Sequence, residues 1–250
     1  MKAYWAQCRF ELKRSMRNRR LIILSLLLPL FYYFFYVNLY GNSSQTLSGL
    51  PWKTYFLMSM ASFGTIGTVM NSLANRVAVE RTQGWLKLLR TTPLTSRQYI
   101  LSKIVTQLLL AFLTILIMFA AAAIFTHVHM PIRLWIGALL GIMFASLPFM
   151  ALGFTIGLLA GENAASVASS AAYILLSIFG GLWFPVAIMP HWMQHLAHWL
   201  PTFRMANVAW RIVDHQFPST TDILLLLTYF VIFVVIGGLA FNRDQKNLSV

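Results

Sequence analysis

The sequence has few charged residues, fewer acidic ones and almost no cysteine. Only 10% of its 250 residues are charged, against about 25% in a typical soluble domain, and it contains six Asp and Glu and a single cysteine, Cys8. One cysteine excludes an internal disulfide. No Gly-Lys pair occurs, which excludes a P-loop nucleotide site on this chain, and the hydrolase patterns H-E-x-x-H and G-x-S-x-G are also missing. We therefore expect no catalytic residue of these classes.

Long apolar runs take the place of charge, since 58% of the residues are hydrophobic. A membrane-spanning helix needs about 20 predominantly apolar residues. We predict an all-α integral membrane protein in which residues 1–250 form a single transmembrane domain. Its six spans are expected at about 21–40, 53–78, 104–125, 134–160, 167–184 and 223–241.

The basic excess, a formal net charge of +13, is explained by membrane orientation rather than by nucleic acid. Fifteen Lys and Arg fall before the first span, between the second and third spans, or after the sixth, and four fall in the other connections. The positive-inside rule then places both termini in the cytoplasm of a multi-pass protein in the plasma or inner membrane. No nucleic-acid partner is expected.

The acidic residues are too few and too peripheral to suggest proton coupling. All six lie at or beyond the ends of the predicted spans: Glu11, Glu80, Glu162, Asp214, Asp222 and Asp244. A proton-coupled transporter normally needs an ionisable group within the membrane.

Residues 2–20 are expected to form a basic amphipathic elbow helix at the membrane surface. Apolar and basic residues recur there at spacings of three and four, which places them on neighbouring helix faces. The apolar face comprises Trp5, Cys8, Leu12 and Met16, and the basic face Arg9, Lys13, Arg17 and Arg20. Membrane lipids are the expected partners of this helix.

Small residues within two of the spans suggest close helix packing. Gly64 and Gly67 lie in the second span, and Gly153, Gly157 and Gly161 recur every four residues in the fourth. Such spacing lets helix backbones approach each other.

Residues 79–103 form a basic, proline-interrupted segment between the second and third spans. On a helix from about Val79 to Arg90, the side chains of Trp85, Leu86 and Leu89 would form one apolar face. Pro93 would follow its end, and Ser96 could cap the next helix. So short a helix needs lipid or a protein groove for stability, and the pattern alone leaves both open.

The connection 185–221, between the fifth and sixth spans, is expected on the external side. Four prolines interrupt it, and Trp192, Trp199 and Trp210 suit a membrane interface, so short helices on or within the outer leaflet are predicted. His191, His195 and His198 would share a helix face there, but without cysteine or a placed carboxylate we expect no metal site.

These elements together resemble the permease of a type-2 ABC exporter, the family of daunorubicin- and linearmycin-resistance permeases. The matching positions between spans two and three are Glu80, Arg81, Gly84, Leu86, Leu89, Thr92, Pro93 and Lys103. Those between spans five and six are Gly180, Gly181, Pro185, Pro190 and Pro201.

The resemblance implies a coupling segment that docks on a separate ATPase, with Glu80, Arg81, Gly84, Trp85, Leu86, Leu89 and Pro93 as its candidate residues. It also implies two ATPase copies carrying ATP and Mg, a second permease chain forming a homodimer, and outward transport of a lipophilic or amphipathic substrate such as an antibiotic or lipid. No cofactor is expected on this chain. Two other classes stay open: a stand-alone channel or secondary transporter, and a membrane sensory or scaffold protein.

Overall fold

The computed structural model describes residues 7, 9–13, 19–40, 46–47, 49–84 and 95–247. Residues 7 and 9–13 are helical. The helices that follow are α1 (Arg19–Tyr40), α2 (Trp52–Ile66), α3 (Ser72–Thr82), α4 (Ser96–Phe125), α5 (Ile132–Ala145), α6 (Leu147–Leu159), α7 (Glu162–Phe179), α8 (His191–Trp199), α9 (Pro201–Val213) and α10 (Thr220–Asn247). The all-helical class expected from the sequence is confirmed, apart from a short antiparallel pairing of β1 (Thr46–Leu47) with β2 (Leu50–Pro51).

Three helical stretches in the described part are long and apolar enough to cross a membrane: Arg97–Phe125, Ile132–Leu159 and Thr220–Asn242. Long apolar helices of this kind agree with a membrane protein.

Helix α2 forms the centre of the protein. All of its residues from Thr54 to Ile66 are buried, and it packs against α1, α4, α5 and α9. A π-helical turn at Gly67–Asn71 connects α2 to α3, so the chain runs as one helical rod from Trp52 to Thr82. π turns of this kind are rare and often mark functional positions.

Two glycines of α6 bring it against this rod. A Cβ on Gly153 would lie 2.5 Å from the carbonyl oxygen of Met70, and a Cβ on Gly157 would lie 2.6 Å from that of Ala74. The packing role predicted for these two glycines is confirmed. The same role predicted for Gly161 is wrong, because nothing lies within 4 Å of its Cβ position.

The predicted span 134–160 is interrupted in the structure. Helix α5 ends at Ala145 and α6 begins at Leu147, with Ser146 between them. Pro148 stands in the first turn of α6 and has no N–H to donate back along the chain, which accounts for the interruption.

The fifth predicted span, 167–184, ends too late. Helix α7 ends at Phe179, and Gly181 takes a φ of +77°, a left-handed conformation that glycine adopts readily. The prediction used apolar composition alone, and so it extended the helix beyond this glycine pair.

Candidate functional site

A buried ion cluster lies where three parts of the chain meet: the helical residues 9–13, the end of α3 and the start of α4. It consists of Glu11, Arg76, Glu80, Tyr99 and Lys103. The side chains of Glu11 and Glu80 are each 1% exposed, and that of Lys103 is 2% exposed. Three of its members, Glu80, Tyr99 and Lys103, therefore belong to the predicted coupling segment 79–103.

Lys103 is the centre of the cluster. Its Nζ lies 3.1 Å from Oε1 of Glu11 and 2.9 Å from the carboxylate of Glu80. The same ammonium lies 4.7 Å from the ring centroid of Tyr99, whose hydroxyl donates a hydrogen bond to Glu80. Arg76 Nη1 lies 3.3 Å from Oε2 of Glu11. Within the described residues, the two carboxylates are thus paired with two cations.

These buried ion pairs affect the stability of the fold. Removing two charges from water is costly, and their mutual attraction repays that cost only when the geometry is good and further hydrogen bonds are made. Deleting Lys103, which both carboxylates contact, would remove much of this compensation, at a cost of about 3–5 kcal/mol. The cluster therefore holds three separate parts of the chain in one arrangement.

Arg81 makes a second connection from the same helix. Its guanidinium donates to the backbone carbonyls of Leu158 and Ala160, the latter at 3.4 Å. These carbonyls lie at the C-terminal end of α6, where unpaired oxygens and the helix dipole favour a cation. Adjacent residues of α3, Glu80 and Arg81, thus connect it to α4 on one side and to α6 on the other.

The ends of the helices around residues 85–94 have definite local causes. Helix α3 ends at Thr82, and Gly84 follows with a φ of +68°, so the single helix predicted from Val79 to Arg90 is wrong. Helix α4 is capped by Thr95, whose hydroxyl accepts from the N–H of Gln98 while the Gln98 side chain accepts from the N–H of Thr95. The helix cap is therefore Thr95, one residue before the predicted Ser96.

Several predicted site residues lie outside the described residues: Trp85, Leu86, Leu89 and Pro93 of the coupling segment, and Trp5, Met16 and Arg17 of the elbow. Within the described elbow residues, Arg9 and Lys13 are exposed and Leu12 is half-buried. Glu80 faces inward, and nothing lies within 4 Å of the Cβ position of Gly84.

The residues predicted between spans five and six mark the turns of that region. Gly180 and Gly181 follow α7, Pro185 precedes a 3₁₀ turn at Val186–Ile188, Pro190 precedes α8 and Pro201 begins α9. Trp192 and Trp199 are 62% and 65% exposed. The interfacial position predicted for Trp210 is wrong, because α9 is buried along most of its length and Trp210 stacks on Tyr55. Among the described residues no group of three or more His, Cys, Asp or Glu could hold a metal ion.

Sequence reasoning missed that Glu11 and Lys103 form an ion pair. They are 92 residues apart, and no local periodicity connects an elbow helix to the start of the third predicted span. One signal was available: an acidic residue within an otherwise basic, membrane-facing helix requires a partner.

The family model described as ABC-2 type transporter matches residues 2–213. The chain belongs to the ABC-2 type transporter family. The resemblance stated from the motifs is thereby confirmed.

This ABC-2 family member is also similar to a curated bacterial protein. It is 33% identical over 227 residues to "Putative transport permease YvfS" of Bacillus subtilis (strain 168), covering 91% of this chain and 92% of that protein. The chain is thus a membrane subunit of an ABC transporter, a transport component rather than the catalytic one, and such subunits in general work with an ABC ATPase.

Proposed function

We propose that this chain is the permease of an ATP-driven exporter that moves a lipophilic or amphipathic substrate, such as an antibiotic or a lipid, outward from the cytoplasmic side or inner leaflet. Two copies of the chain form a homodimer, and two separate ATPase subunits supply the energy with ATP and Mg. The protein lies in the plasma or inner membrane with six spans and both termini in the cytoplasm. The distribution of Lys and Arg supports this orientation.

The observation that carries the proposal is the ion cluster. Glu80 precedes residues 85–94 and Lys103 follows them, and their contact of 2.9 Å holds the two flanking helices together. Glu11 adds the elbow to the same unit. A force applied to residues 85–94 by the ATPase is thus transmitted to α3, α4 and the elbow together.

Glu80 and Arg81 are positioning residues in this mechanism. Because Glu80 is buried against Lys103 and Tyr99, it holds the coupling segment in place, and contact with the ATPase is left to the apolar side chains of Trp85 and Leu89. Arg81 extends the displacement to α6 through its bonds to Leu158 and Ala160. Because α3 is continuous with the buried α2, the displacement also reaches the core of the protein.

The pairing of the buried acids argues against a proton-coupled carrier. Glu11, Glu80 and Asp222 are each matched by a cation within 3.3 Å. A proton-coupled carrier would need an acid whose charge can change during transport. The paired state of these three acids favours energy supplied by ATP from a partner.

The test is purification of the tagged chain from its native membrane in mild detergent, with identification of a co-purifying P-loop ATPase and assay of ATP hydrolysis. The double substitution Trp85→Ser with Leu89→Ser should abolish ATPase recovery while leaving the chain in the membrane. The matched control is Trp192→Ser with Leu196→Ser, the same residue types at the same spacing on the exposed face of α8. Equal ATPase recovery from both double variants would contradict the coupling assignment.

A further inference from the structure

A cavity of about 480 Å³ opens at the end of the helix bundle opposite the ion cluster. Three elements form it: the end of α1, the first turn of α2 and the end of α4. Its walls are Phe34 and Phe125, whose rings meet edge to face with centroids 5.8 Å apart. Its polar lining is Asn38, Lys53, Thr126 and His127. The volume is within the range of about 300–1,000 Å³ usual for small-molecule sites.

Lys53 gives the cavity its charge. Its side chain is half-buried, and its Nζ lies 3.4 Å from the carbonyl oxygen of Thr126. Within the described ranges no Asp or Glu forms an ion pair with it. The ammonium has three donors, and one carbonyl at this distance uses only one of them. A partly buried cation without an acidic partner favours an anion in the adjoining space.

The end of α4 reduces this positive charge without cancelling it. Thr126 is the C-terminal cap of α4, and a helix C-terminus carries the equivalent of about −0.5 elementary charge against +1 on Lys53. The cap is itself held in place, because Thr126 Oγ1 lies 2.7 Å from the hydroxyl of Tyr33 and donates to Ala122 O. The cation is thus fixed by a preformed support.

The surroundings of the cavity fit a lipid rather than a soluble anion. The ring of Phe125 is 70% exposed on the outer face of the bundle. Tyr40 and Trp52 stack at the same level with ring centroids 4.8 Å apart, as aromatic residues do where a membrane meets water. An acyl chain can therefore lie against Phe34 and Phe125 while a headgroup reaches Lys53.

We infer that this cavity binds the anionic phosphate headgroup of a membrane phospholipid, with Lys53 and Asn38 as its polar contacts and Phe34 and Phe125 against the acyl chain. The inference goes beyond the proposed function, because it concerns the chain alone and requires neither ATP nor an ATPase. A chain that failed to transport could still bind the lipid, and a chain that did not bind the lipid could still be an exporter.

The experiment is a binding titration of the purified, delipidated chain in detergent, followed by native mass spectrometry. The probe is dioleoylphosphatidylglycerol, and the comparison is zwitterionic dioleoylphosphatidylcholine, whose phosphate charge is offset by its own choline. Phosphatidylglycerol should bind more tightly. Lys53→Gln should weaken it about fivefold, as expected for one basic residue at a lipid surface, and leave phosphatidylcholine binding unchanged. Lys53→Arg should keep the preference, which separates loss of charge from loss of folding.

The matched control is Arg133→Gln, which removes an exposed cation from the same end of the bundle but outside the cavity. It should leave the preference for phosphatidylglycerol intact. Equal effects of Lys53→Gln and Arg133→Gln would overturn the inference, since the preference would then reflect net charge alone. Displacement of the lipid by inorganic phosphate at equal concentration would also overturn it, because the site would then belong to a soluble anion.

Discussion

Lys103 and Glu80, which stand on opposite sides of residues 85–94, form a buried ion pair of 2.9 Å. Gly84, with a φ of +68°, is the last described residue before these ten, and the Thr95 cap begins α4 after them. The two helices that flank residues 85–94 are therefore held together by an electrostatic contact shielded from water.

Replacement of Lys103 by Met should lower the free energy of unfolding by about 3–5 kcal/mol, because the buried carboxylates of Glu11 and Glu80 would both lose the ammonium that they contact. Unfolding of the purified chain in mixed micelles, titrated with sodium dodecyl sulfate, measures the change. The control is Arg97→Met, an exposed cation two turns earlier on the same helix. If both variants unfold at the same detergent fraction, the cluster has no stabilising role.

Much of the fold was readable from apolar runs and from a few local patterns. The runs placed the long helices, and the spacing of Gly153 and Gly157 predicted close contact with a neighbouring helix, although not which one. The capping box at Thr95 and Gln98 was also present in the sequence, as a Thr followed three residues later by Gln.

The ion cluster was not readable in the same way. Glu80 and Arg81 were singled out by resemblance as residues of the coupling segment, yet nothing local shows that Glu80 faces Lys103 or that Arg81 caps α6. Such contacts depend on how separate helices pack, which hydrophobic periodicity does not specify. The π turn at Gly67–Asn71 escaped prediction for the same reason, since its composition is that of an ordinary apolar helix.

Asp222→Asn should destabilise the opposite end of the bundle by a similar amount, about 3–5 kcal/mol. Asp222 is 0% exposed, lies 2.8 Å from Arg204 Nη1 and accepts from the Asn207 amide at 2.8 Å, so it connects α10 to α9. Loss of its charge leaves the guanidinium without a counter-ion. Protection of α9 amides in hydrogen exchange measures the effect, with the partly exposed Asp214→Asn as control. Equal protection in the two variants would show that the pair does not hold α9.

Gly153→Ala should cost about 1–3 kcal/mol, because the added methyl group would lie 2.5 Å from a backbone oxygen of Met70 and the two helices must separate. The same change at Gly238, within α10, meets nothing within 4 Å and should be neutral or stabilise by up to about 1 kcal/mol through helix propensity. Comparison of the two in the same detergent titration isolates packing from propensity. Gly153→Ala behaving like Gly238→Ala would contradict close contact between α6 and the π turn.

Arg81→Gln should cost about 1.5–3 kcal/mol, the usual range for a hydrogen bond from a charged group, because the carbonyls of Leu158 and Ala160 lose their donor. Arg81→Lys should recover only part of this loss, since an ammonium lacks the planar fork that reaches two carbonyls at once. The control is Arg97→Gln, which removes an exposed cation on the same side of the bundle.

If Arg81 also carries displacement from the coupling segment to α6, Arg81→Lys should retain the co-purifying ATPase while ATP hydrolysis responds less to lipid and substrate. An Arg81→Lys variant with unchanged stability and unchanged hydrolysis would show that the contact with α6 serves neither purpose.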